Sequence, residues 1–176
     1  HNGTIWRWNR PLIGFDPDGS PHLRIEQRVV PAGPTVLDLI ATAALYFGAI
    51  QDLLGEADPT GALLPFPVAR ANFYAAARRG LEAKLRWLNG RDATARAILT
   101  EDLLPRARRG LRNLGIEDEE IDTWLGLIAA RLAKGRTGAD WQRAWVARHP
   151  DQEMTGLLQA YLDQQRSGQP VHEWAL

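Results

Sequence analysis

The chain has 176 residues, equal numbers of basic (21) and acidic (21) side chains, 45% apolar residues and no cysteine. That length favours one domain, and that balance excludes wholesale disorder or a coiled-coil rod and gives no support to a general nucleic-acid or membrane-surface binder. Without cysteine there is no disulfide, thiolate metal site or cysteine nucleophile, which fits a reducing, cytoplasmic setting.

Residues 1–33 favour strands, through Thr4, Ile5, Trp6, Trp8, Ile25, Val29 and Val30. Gly14-Phe15-Asp16-Pro17-Asp18-Gly19-Ser20-Pro21 interrupts them as a turn-and-loop stretch. The expectation is a strand from Thr4 to Arg10, a loop, and a second strand from His22 to Val30. Two strands alone are marginal in water, so they must pack on helices or belong to a larger sheet. No signal-peptide pattern opens the chain, and a start at His1 points to a fragment or a processed product.

After Pro34 the period becomes helical. Thr35 and Asp38 form an approximate capping box. Val36, Leu39, Ile40, Ala43, Ala44, Phe47 and Ile50 follow, apolar on most faces, so this helix is expected to be the most buried one. No apolar run approaches the roughly 20 residues of a membrane span. Further helices are expected near 68–88, 101–114, 117–133, where an acidic start suits the helix N-terminus, and 151–166, with a short one between the last two capped by Thr137 and Asp140 and containing Trp141 and Trp145; Pro105 falls in or near a first turn and 167–176 reads as loop. The fold class is therefore mostly α, about six helices plus a small antiparallel β element. The division falls at a strand pair over 1–33 and a helical region over 34–176, together one structural unit of a longer protein.

The second strand carries the most informative pattern. Alternation puts Leu23, Ile25, Gln27 and Val29 on one face and Arg24, Glu26, Arg28 and Val30 on the other. On the first strand Trp6, Trp8 and Arg10 share a face. A carboxylate flanked by guanidinium groups suits a divalent metal or an anionic substrate, because arginine's planar donors bind carboxylate and phosphate in pairs. The same spacing also describes a solvated salt-bridge ladder. Residues 70–112 hold eleven Arg or Lys against four acids. This excess could meet nucleic acid or phosphate, but it is spread over several helical faces and reads more simply as solvated surface. Four scattered histidines and the absence of GxGxxG, P-loop or GxSxG patterns leave no other catalytic motif.

Gly3-Thr4-Ile5-Trp6-Arg7-Trp8-Asn9-Arg10-Pro11 followed by His22-Leu23-Arg24-Ile25-Glu26-Gln27-Arg28-Val29 resembles the C-terminal part of carboxylate–amine ligases of the glutamate–cysteine ligase type. Asp102-Leu103-Leu104, Ala107-Arg108-Arg109-Gly110-Leu111 and Gly135-Arg136-Thr137-Gly138-Ala139 with Trp141 extend the likeness. The resemblance implies a glutamine-synthetase-like sheet backed by helices, and ATP- and magnesium-dependent ligation through an acyl phosphate. It implies Glu26 as a magnesium ligand, Arg28 as the catalytic arginine at the phosphates, and Arg10 with Arg24 at the substrate carboxylate. The implied partners are small carboxylate and amine substrates and the N-terminal part of the parent chain, with no nucleic acid or membrane and with oligomerisation open. By itself the 176-residue chain is expected to be inactive. The alternative reading is a non-catalytic helical interaction domain with a vestigial ligase motif.

Overall fold

The computed structural model describes residues 9–30, 32–56 and 64–176. The chain divides into two compact units, residues 1–32 and 33–176. The first contains an antiparallel hairpin of β1 (Asn9–Phe15) and β2 (Pro21–Gln27). The strand expected at Thr4–Arg10 thus pairs further along the chain, and its Thr4–Trp8 portion, with Trp6 and Trp8, lies outside the described residues. The reason is the tightness of the turn. Gly19, at φ +85°, donates its N–H to the Asp16 carbonyl, and Asp18 Oδ1 accepts the Ser20 N–H at 2.9 Å. Five residues suffice, so Gly14 and Phe15 join the strand.

The faces alternate as expected, but the apolar one is not buried. Leu23 is 82% and Ile25 71% exposed, and Ile13 and Phe15 are also exposed. Leu23 and Ile25 are therefore surface side chains despite their place on the apolar face.

The second unit begins with α1 (Val36–Glu56). Thr35 caps it: its Oγ1 accepts the Asp38 N–H at 3.2 Å and donates to Asp38 Oδ2 at 2.9 Å. Only one side of α1 is buried, through Asp38, Ala41, Gly48, Ala49 and Asp52. Val36, Phe47 and Leu54 are exposed and Leu39 is 43% exposed, so apolar residues on most faces of this helix do not mean burial on most faces. By length and composition, 36–55 is also apolar enough to cross a membrane, at a mean hydropathy of 1.4, contrary to the reading of its run lengths. Asp38 and Asp52 interrupt that apolarity on the packed side.

α2 (Phe66–Arg79) stops well short of residue 88. Gly80 takes φ +54°, which ends the helix, and a small hairpin of β3 (Lys84–Arg86) and β4 (Asp92–Thr94) follows. Asn72 of α2 holds this hairpin, its amide meeting both the N–H (3.0 Å) and the carbonyl (2.7 Å) of Arg86.

The next helical run starts earlier than its apolar pattern indicated, because Thr94 caps it. It begins as α3 (Ala95–Ile98), passes through a π-helical turn (Leu99–Leu103) and continues as α4 (Leu104–Asn113). Pro105 follows the wide turn directly, where the five-residue spacing relieves the clash between its ring and the preceding carbonyls.

α5 (Asp118–Lys134), α6 (Gly138–Arg148) and α7 (Met154–Arg166) complete the set. Acidic Asp118, Glu119 and Glu120 favour the start of α5, and Gly135 at φ +62° closes it. Thr137 and Asp140 form a complete capping box on α6.

α1 crosses α4 at two glycines. A Cβ on Gly110 would stand 1.9 Å from the Gly48 carbonyl oxygen, and one on Gly48 would stand 2.4 Å from that of Ala107. Ala49, Ala107, Leu111, Ile121 and Leu125 pack around this contact, and Ala41, Ile128 and Leu132 continue the core. A second cluster joins Trp141, Trp145 and Leu157 to Val171 and Trp174 of the last segment. Residues 167–176 are thus no loose loop. They contain a 3-10 turn (Val171–Glu173), and Trp174 is fully buried.

Candidate anion-recognition site on the hairpin

The register of the hairpin sets the site. Arg10 lies directly opposite Glu26, and Leu12 opposite Arg24, so these four share one face. Arg28, two residues past Glu26 and just beyond the end of β2, returns to the same side. Both guanidinium groups converge on one oxygen: Arg10 Nη2 is 2.8 Å and Arg28 Nε 3.0 Å from Glu26 Oε2. Contact with Arg28, with the added charge of Arg10, holds the Glu26 carboxyl below the ordinary glutamate value, against the opposing effect of partial desolvation. Arg10 Nε is buried without an acceptor among the described residues. Arg24 is exposed on this face and is not drawn into the contact.

The structure therefore brings Arg10, Glu26 and Arg28 together and leaves Arg24 beside them. The triad sets one carboxylate between two guanidinium groups, the side chain whose planar donors suit carboxylate and phosphate. As a metal site it is incomplete. Magnesium takes a shell of oxygen ligands, and among the described residues no three His, Asp or Glu side chains gather closely enough to hold an ion. Glu26 can supply one such oxygen.

The helical unit holds two further charge networks that sequence reasoning missed. Asp52 accepts from Arg109 Nε and Nη2, both at 2.8 Å, and from Arg106 Nη1 at 3.0 Å. Arg109 above all keeps its carboxyl below the ordinary aspartate value, with Arg106 adding to the effect. Arg106 also reaches Asp102, which accepts the Trp87 indole N–H at 2.7 Å. At the other end of α1, fully buried Asp38 binds Arg131 Nη2 at 2.6 Å and the Val171 N–H at 3.0 Å. A signal was present. Asp38 and Asp52 lie about four turns apart on the side of α1 that carries Ala41 and Gly48, where an acid requires a partner.

Two arginines and one carboxylate thus share one face of paired strands, and a helical unit follows in the chain. The chain matches Glutamate-cysteine ligase family 2 (GCS2) over residues 2–164 and belongs to that family. No curated protein and no solved structure matches it significantly.

Proposed function

We infer that the chain is part of an ATP-dependent carboxylate–amine ligase. Family membership carries the class, and the observation that carries the site is the convergence of Arg10 and Arg28 on Glu26. In such a reaction a carboxylate oxygen attacks the terminal phosphorus of ATP and ADP leaves. An amine then attacks the acyl carbon of the acyl phosphate and inorganic phosphate departs. Both steps gather negative charge on oxygens, which fixed guanidinium donors stabilise.

Arg28 is proposed to face the phosphates, and Arg10 with Arg24 the substrate carboxylate. Glu26 holds the two guanidinium groups apart and in place. Magnesium, when bound, would neutralise phosphate charge. Glu26 is one ligand for it at most, so other chain segments must provide the rest. The 176-residue chain is accordingly proposed to need those segments for turnover.

The test is ADP release by the full-length protein, with ATP and magnesium, against a panel of carboxylates and amines. Turnover that requires both an acid and an amine supports the reading. ATP hydrolysis indifferent to both, or no hydrolysis, sinks it. The second reading, a non-catalytic interaction domain, draws on the exposed apolar side of α1. It requires that Glu26→Gln leave every measured property of the full-length protein unchanged.

A further inference from the structure

The basic stretch from Arg70 to Arg112 is largely consumed by ion pairs. Arg86 meets Asp92, Arg91 meets Glu101, Arg96 meets Glu82, Arg108 meets Asp122, and Arg112 meets Asp118. Arg106 and Arg109 share Asp52. The guanidinium groups of Arg78 and Arg79, the last two residues of α2, have no such partner among the described residues.

Both arginines line a cavity of about 290 Å³ carried wholly by the helical unit, together with Glu82, Arg96, Asp140 and Arg143. The acids in this wall are already engaged. Glu82 accepts from Arg96 at 2.7 Å, and Asp140 accepts from Arg143 and from the N–H of Thr137. Four guanidinium groups against two carboxylates leave two positive charges, and the unmatched pair is Arg78 and Arg79.

The wall is built rather than incidental. Arg96 donates to the Leu132 carbonyl and lies against Gly135, where a Cβ would come 2.8 Å from its Nη2. Gly135 therefore serves two ends, the left-handed turn that closes α5 and the seat of the Arg96 guanidinium. The end of α2 attracts cations by its dipole, which accounts for one basic residue there but not for a concave wall with four.

We propose that this cavity binds a phosphate dianion, free or at the end of a small ester. Paired guanidinium forks match the phosphate oxygens, and the surplus of two charges matches its dianion. A monocarboxylate leaves one fork without a counter-charge, and a dicarboxylate carries the same charge on two separated planar groups instead of one compact tetrahedral group that both forks can reach. The site is independent of the hairpin and of ligase turnover.

The experiment titrates the 176-residue chain with phenyl phosphate, inorganic phosphate and succinate by calorimetry, without ATP or magnesium. Saturable binding of either phosphate and not of succinate is expected, strengthening as pH rises through the second ionisation of the phosphate used, at pH ~6 for the ester. The ester binding more tightly assigns the cavity to esters, and equal binding assigns it to the free ion. Arg78→Ala with Arg79→Ala should weaken binding about tenfold or more. The charge-matched pair Arg70→Ala with Arg166→Ala should not. Circular dichroism checks that both doubles remain helical, and Arg78→Lys with Arg79→Lys, which keeps charge but loses the forks, should fall between. No saturation with either phosphate, equal binding of succinate, or equal loss in the charge-matched pair overturns the proposal.

Discussion

Glu26 and Asp38 illustrate two uses of one pairing. Glu26 sits on a partly solvated strand between Arg10 and Arg28, where an ion pair adds little to the stability of a fold. Its carboxyl titrates below the ordinary glutamate value because charged arginines favour the carboxylate. The triad is therefore intact above the ordinary glutamate range and is lost as pH falls through the depressed value. A carboxyl-carbon NMR titration should show this low midpoint, and Arg28→Ala should return it towards the ordinary value. A wild-type midpoint at or above ordinary glutamate disproves the arrangement. In the full-length protein, Glu26→Gln should abolish ATP turnover with the fold intact, and Arg28→Lys should lose much of the rate because lysine lacks the fork.

Asp38 is the structural counterpart. It is fully buried and touches Arg131, Thr35 and the Val171 N–H. Asp38→Ala leaves Arg131, itself mostly buried, without its counter-charge, and should cost about 3–5 kcal/mol. Against a total of roughly 5–15 kcal/mol, a urea melt will register that plainly. Leu39→Asp, next along the helix, should fold and melt cooperatively because Leu39 is substantially exposed. A wild-type midpoint for Asp38→Ala would show that the network is not holding α1.

At the scale of elements, the α1–α4 crossing depends on absent side chains. Gly110→Ala drives a methyl into the backbone of α1, which cannot swing away as a side chain could. The expected loss is about 1–3 kcal/mol, although alanine is the better helix former, and Gly126→Ala on α5, with open space around it, is the control. Equal stability of the two variants would mean that the helices are further apart than described. The elements whose signals are local were legible: the Thr35 and Thr137 caps and the acidic start of α5. Elements whose limits depend on their neighbours were not. The apolar period of α2 runs on into β3, and only the left-handed turn at Gly80 divides them. The helical run before α4 begins at Thr94, ahead of its apolar repeat. Of the site, the residue types and the shared face were legible in period-2 spacing. The pairing of Arg10 with Glu26 was not, because register depends on how tightly Asp16–Ser20 turns.

For the molecule as a whole, two apolar surfaces are open: Ile13, Phe15, Leu23 and Ile25 on the hairpin, and Val36, Phe47 and Leu54 on α1. A two-stranded hairpin is marginal by itself. In the 176-residue chain the β1–β2 amides should exchange with deuterium far faster than those of α4 and α5, whose side chains form the core. Hairpin protection equal to that of α5 would show that these strands are stabilised by more than their own pairing.

The burial of Trp174 also bears on how the protein is made. Its indole N–H reaches back to the Gln169 carbonyl, its own carbonyl accepts from Arg136, and Val171 supplies a partner to Asp38 at the start of α1. A residue needed at the first helix is thus among the last of this stretch to leave the ribosome. Until then the Asp38 carboxylate and the tryptophan cluster of α6 stay open to water. The helical unit therefore acquires its final packing only once residue 174 has emerged, and a chaperone that guards the nascent chain has exposed core to cover until then.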